Sequence, residues 1–142
     1  MTDVFSTKKR SWIMSRVHGK DTGPELKVRS AAHRLGFRFR LHRRDLPGAP
    51  DLVFPRLKKI IFVNGCFFHG HTCARGARIP QANRPYWIRK IARNRERDRR
   101  NHRRLRAAGW RVLVIWECQL KDEKRFTRVI SGFLNDDGRH RK

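Results

Sequence analysis

The sequence predicts a single-domain α/β protein with helices packed on a mixed sheet, and three observations predict it. Its 142 residues fit one core of ordinary size and leave no room for a second. Apolar residues recur with helical spacing near both ends and in a long central segment, and short runs of strand character lie between them. No repeat, linker or low-complexity stretch divides the chain, so residues 1–142 read as one domain, with 1–20 and 135–142 as loosely held ends.

Each element has its own signal. A short basic helix is expected from Lys8 to His18. A second begins at Thr22-Gly23-Pro24-Glu25, where Thr22 caps and Glu25 completes a capping box, and ends at Gly36. Within it Val28, Ala31, Ala32 and Leu35 share one face. Phe37, Phe39 and Leu41 then alternate as in a strand.

The turn-forming run Leu46-Pro47-Gly48-Ala49-Pro50 leads into a strand over Asp51 to Phe54, and another follows over Ile60 to Val63. Their continuous apolar character places both inside the sheet. A loop rich in cysteine and histidine, Gly65 to about Asn83, precedes a long helix from Pro85 to Ala107 with Gly109 behind it. Trp110 to Trp116 is the last strand and Glu123 to Leu134 the last helix, giving the order α-β-β-β-α-β-α of an α/β sandwich with one crossover helix.

Charge narrows the function. Lysine and arginine number 36 against 12 acidic residues, a formal charge of +24 that seeks a polyanion, and nucleic acid is the expected partner. A membrane is the weaker rival, because there is no lipidation signal and no apolar run of transmembrane length. The N-terminus lacks a secretory signal, which predicts a reducing cytosol, so Cys66, Cys73 and Cys118 are expected as thiols or metal ligands rather than as disulfides.

In Cys66-Phe67-Phe68-His69-Gly70-His71-Thr72-Cys73 four potential ligands share one loop, and Cys118 follows the last strand. Three cysteines and one histidine would close a tetrahedral structural zinc site, sparing His69 or His71 for chemistry. The plainer alternative is a buried or reactive cysteine pair. Asp51, at a strand tip near Val63 and Asn64, could hold magnesium with a backbone carbonyl and a phosphate, although an aspartate after such a turn also serves as a cap.

Glu25 is explained by the capping box alone. Asp98 shares the inward stripe of the long helix with Ile91 and Leu105, with Asn94 one turn before. It therefore needs a partner, and the abundance of arginine favours an arginine over a histidine. Phe67 and Phe68 could wedge between bases or form a small core around the metal. The long helix carries many arginines that could track phosphates, but none can be assigned a contact.

These blocks together resemble the very short patch repair (Vsr) mismatch endonucleases of the PD-(D/E)XK nuclease superfamily. The resemblance runs from Arg10 to Leu120. It rests on Arg10-Ser11, Met14-Ser15, Lys20, Thr22, Pro24-Glu25, Leu46-Pro47-Gly48, Pro50-Asp51 and Phe62 through His69, and continues through Tyr86-Trp87, Lys90-Ile91, Asn94, Arg97-Asp98, Gly109-Trp110 and Trp116-Glu117-Cys118.

It implies a restriction-endonuclease-like α/β/α core that nicks one strand of double-stranded DNA beside a T·G mismatch left by deamination of 5-methylcytosine, as a monomer, in functional association with a cytosine-5 methyltransferase and other repair proteins. By the family pattern Asp51 and the Val63 carbonyl hold magnesium, Glu25 acts through water on that metal, His69 helps activate the attacking water, and Asp98 orients it. Cys66, His71, Cys73 and Cys118 bind zinc; Phe67 and Phe68 form a wedge; the segment around Met14 meets DNA from the other groove.

Asn64, at a catalytic position, stands where some members carry histidine, and Phe68 stands where tryptophan is usual. The superfamily's Glu-x-Lys is absent after the third strand. Two other readings fit the composition: a zinc-containing nucleic-acid-binding protein without catalysis, and a nicking enzyme of the same fold acting on undamaged DNA.

Overall fold

The computed structural model describes residues 23–74 and 76–136. The expected Lys8–His18 helix, the cap Thr22, Met14 and residues 137–142 lie outside them.

A four-stranded sheet runs in the order β1 (Arg40–Leu41), β2 (Leu52–Phe54), β3 (Lys59–Asn64), β4 (Arg111–Trp116). The first three strands are antiparallel neighbours and β4 is parallel to β3, so the sheet is mixed. The parallel pair requires a crossover, supplied by the long helix α2 (Arg84–Ala107). Helices α1 (Gly23–Arg34) and α3 (Glu123–Asn135) complete the fold.

Alternation along the strands makes two cores. Leu52, Phe54, Ile61 and Ile115 face α1 and α3, where Val28, Ala31, Ala32, Phe126, Ile130 and Leu134 meet them. Val53, Ile60 and Phe62 face the other way, onto Leu105 of α2 and Trp110. The sheet is therefore sandwiched between helices, as expected. In α3 the buried Phe126, Ile130 and Leu134 recur every four residues, and burying each such side chain contributes about 1.5–3 kcal/mol.

Two boundaries differ from expectation. Phe37 and Phe39 do pack on the core, edge-on to Phe54 at 6.5 and 5.8 Å between ring centroids, but strand pairing spans only Arg40–Leu41 and Leu41 is exposed. The strand stops because His42 turns left-handed, with φ +51°.

Asn135, expected within the loose end, is ordered. Asn135 is helical, and Arg111 holds the Asp136 carboxylate at 2.5 Å. Buried Lys59 donates to the carbonyls of Phe133 at 2.7 Å and Leu134 at 3.0 Å, and to that of Asp136, so an ammonium caps the end of α3 where orphan carbonyls gather.

Candidate active site and metal centre

Strand register brings the site together. Leu52 pairs with Ile61, which carries Asp51, one residue earlier, alongside the end of β3. There the Val63 amide donates to Asp51 Oδ2 at 2.7 Å. Asp51 thus reaches Val63 through its N–H. Buried Asn64 ends β3 beside Trp116, so the loop after β3 and the turn after β4 leave the sheet side by side.

Glu25 comes to the same place from the first turn of α1. It is only 2% exposed, and its Oε2 lies 2.6 Å from Arg29 Nη2, one helical turn on, and 3.0 Å from His42 Nε2. A capping box would account for Glu25 without reference to this site; in the fold its carboxylate also faces Arg29 and His42 beside Asp51. Ligand atoms of Glu25, His42 and Asp51 all lie within 4.8 Å of one another. Burial pushes the Asp51 carboxyl up to about 7, opposed by the Val63 amide and reinforced by the neighbouring Glu25, while His69 pulls it down. Oxygen donors set in a place this costly for negative charge fit a hard divalent cation.

His69 is fixed by α2. Its Nδ1 lies 2.6 Å from Asp98 Oδ2, so the residue on the inward stripe pairs with a histidine, not with the arginine that composition favoured. One turn earlier Asn94 donates through Nδ2 to the Phe68 carbonyl at 2.8 Å. Between these anchors Gly70, at φ +66°, lies so close to the helix that a Cβ would stand 2.5 Å from Arg95 and 2.7 Å from Ile91. Only glycine allows the loop to descend onto the helix here.

The histidine ambiguity is resolved by position. With His69 on Asp98, it is His71 that joins Cys66, Cys73 and Cys118, their ligand atoms all within 4.8 Å of one another. His71 Nδ1 is 3.5 Å from Cys118 Sγ, and its ring stacks on Trp116 with centroids 4.2 Å apart. The Cys118 amide donates to Cys66 Sγ at 3.3 Å and the Gly76 amide to Cys73 Sγ at 3.4 Å.

A Cβ on Gly76 would come 2.1 Å from the His71 carbonyl, so the loop closes tightly around the donors. Burial pushes the Cys66 thiol up to about 12, whereas the Gly76 amide and the neighbouring donors bring Cys73 down to about 6. Three sulfurs and an imidazole nitrogen with amides aimed at the sulfurs could hold a metal ion.

Phe67 and Phe68 are half-buried and edge-on to each other at 5.2 Å. Both meet Trp87 near the start of α2, at 5.3 and 6.4 Å, and Trp87 meets exposed Tyr86 at 5.2 Å. Four rings thus form one aromatic ridge. Sequence reasoning assigned two of them a possible wedge; the Tyr86-Trp87 pair entered only as a block of the family resemblance, with no role. It missed His42 and Arg29, and of these only Arg29 had a signal, its spacing of four from Glu25. Among the described residues no helix is long and apolar enough to cross a membrane.

The family described as DNA mismatch endonuclease Vsr matches residues 2–75. A type II nicking enzyme, V.XorIIP, of Xanthomonas oryzae pv. oryzae is 51% identical over 122 residues, covering 86% of this chain and 89% of the relative. The type II nicking enzyme V.NmeAIP of Neisseria meningitidis is 43% identical over 134 residues, with 92% and 95% covered. The DNA mismatch endonuclease Vsr of Escherichia coli is 39% identical over 127 residues, with 89% and 81% covered. With a family match over more than half its length and relatives aligned almost end to end, this chain belongs to the Vsr family of DNA mismatch endonucleases.

Proposed function

We propose that this protein is a magnesium-dependent endonuclease that nicks one strand of duplex DNA beside a T·G mismatch left by deamination of 5-methylcytosine, and so initiates very short patch repair. The observation that carries the reading is a His69–Asp98 pair, 2.6 Å apart, in a chain that also gathers the ligand atoms of Glu25, His42 and Asp51 within 4.8 Å of one another. The names of the relatives, mismatch endonuclease and nicking enzyme, support the same reaction class.

Asp51 and the Val63 carbonyl would hold magnesium, which when bound supplies positive charge to the phosphate and to the leaving oxygen. Glu25 adds a second carboxylate to that face. His69, with Nδ1 committed to Asp98, offers Nε2 to take the proton of the attacking water, and Asp98 fixes the ring and stabilises the imidazolium that results. Asn64, buried at the end of β3, would serve the reaction as a neutral hydrogen-bonding group.

The second donor set has a different task. Cys66, His71, Cys73 and Cys118 would bind zinc, whose soft, closed coordination ties the loop bearing His69 to the end of β4. Phe67 and Phe68, continued by Trp87, offer a wedge for a base step that is already poorly paired, where unstacking costs least. Met14 would meet the other groove. The charge of +24 supplies phosphate affinity without sequence preference. Action as a monomer, in the cytosol, alongside a cytosine-5 methyltransferase and other repair proteins completes the reading.

The test is nicking of an end-labelled duplex carrying one T·G mismatch, beside its matched control, in several flanking contexts, with magnesium or with chelator. Magnesium-dependent cutting of the thymine strand of the mismatched duplex alone is expected. Equal cutting of matched DNA would replace the reading with a nicking enzyme for undamaged DNA. Tight binding without cutting in any context would replace it with a non-catalytic binding protein.

A further inference from the structure

His42 occupies an expensive position. It follows β1 at φ +51°, a left-handed backbone that asparagine and glycine accept most readily and that histidine tolerates better than most residues but not freely. Ala49, Lys58 and Asn83 share a positive φ, so it is the place of His42 beside Glu25 and Asp51, more than its backbone, that sets it apart. Strain retained beside a site points to a side chain that is needed there.

The ring's contacts indicate the need. Nε2 lies 3.0 Å from Glu25 Oε2 and 3.2 Å from Arg29 Nη2, and the His42 backbone N–H donates to the Asp51 carbonyl at 3.3 Å. One residue thus touches Glu25 through its side chain and Asp51 through its main chain. Countercharge alone does not require it, because Arg29 already meets the same carboxylate oxygen at 2.6 Å. An imidazole adds something an arginine cannot: a short, flat, rigid stop that fixes where the carboxylate sits.

Resting on the roles of Glu25 and Asp51 given above, we propose that His42 is a positioning residue for the nicking reaction, coupling Glu25 on α1 to Asp51 at the start of β2. It makes the relative placement of the two carboxylates a property of one turn rather than of the packing of helix on sheet.

The test compares wild type with His42→Gly, which relaxes the backbone and removes the ring, and with His42→Gln, which restores a hydrogen-bonding group of similar reach. Three quantities are measured: melting temperature of the metal-free protein, Mn2+ affinity without DNA by electron paramagnetic resonance, and kcat and KM on the T·G duplex. For His42→Gly the melting temperature should stay within about 3 °C of wild type. Its kcat should fall at least ~10-fold with KM unchanged, and Mn2+ affinity should weaken at least ~3-fold. His42→Gln should recover part of both losses.

Unchanged kcat and Mn2+ affinity in His42→Gly would overturn the proposal. So would losses that merely track a melting temperature lowered by about 10 °C or more with no recovery in His42→Gln, which is the behaviour of a structural residue. Failure of wild type to cut would overturn the proposed function instead. The DNA-free Mn2+ titration would then still decide the role of His42, weakened binding supporting it and unchanged binding refuting it.

Discussion

Two donor clusters gather at one end of strands β3 and β4, and on the proposed reading they serve opposite purposes. The Cys66–His71–Cys73–Cys118 set has three sulfurs and a nitrogen, and amides from Cys118 and Gly76 point at two of its sulfurs. The Glu25–His42–Asp51 set is rich in oxygen, is partnered by Arg29, and includes a carboxyl that burial holds near neutrality. A soft, closed site stabilises a loop. A hard, electrostatically costly one suits an incoming cation, and on the proposed reading that difference separates holding the fold from doing the chemistry.

The sharpest way to break this division is Asp51→Ala. If the hard cluster serves the reaction only, nicking should fall by at least about 10³-fold while duplex affinity, carried by many phosphate contacts, changes little. Gel-shift and cutting assays on the same folded preparation check it, and a parallel loss of both would merge the two clusters into one structural unit.

Cys118→Ser probes the other side. It should release the metal and lower the melting temperature by on the order of 10 °C, because binding at such a site is folding free energy. Metal analysis and a thermal scan suffice, and absence of zinc from the native protein would remove the contrast altogether.

Asp98→Asn tests the link between the clusters, since His69 lies on the loop that carries Cys66, His71 and Cys73 but pairs with α2. Loss of an orienting carboxylate should lower kcat about 10–100-fold and leave zinc content unchanged.

The smallest effect is in pH. Asp51 has a native value near 7 against an ordinary 3.8, so the folded, metal-free protein binds the extra proton between them. Its contribution to stability is complete below the ordinary value and is lost as pH rises through about 7. The melting temperature of metal-free wild type should therefore fall across this window by a few degrees more than that of Asp51→Asn. Parallel curves would show that burial does not strain this carboxyl.

Legibility in the sequence divided along the same line. The helix over Val28–Ala32, the buried strands at Leu52 and Ile60, and the loop donors from Cys66 to Cys73 declared themselves through local period and spacing, because each signal lies within a few residues of itself. The partner of Asp98 did not. Counting arginines favoured one of them, whereas Gly70 settles the loop against α2 and delivers His69. His42 was silent for a related reason. Its meaning depends on a left-handed turn and on Glu25 across the sheet edge, and no periodicity encodes either. The family resemblance supplied roles for Glu25 and His69 that residue patterns alone left to capping and to chance.

The parallel pairing of β3 with β4 also has a consequence in time. A ribosome delivers Asp51, His69 and most of the sulfur donors well before Cys118, whose strand lies beyond the whole of α2. Until that strand docks beside β3, Cys118 is missing from the donor set, although Asp98 on α2 can already hold His69. On the proposed reading, a nascent chain thus carries its cutting groups before the sheet that gathers them is finished, and activity waits on that last strand.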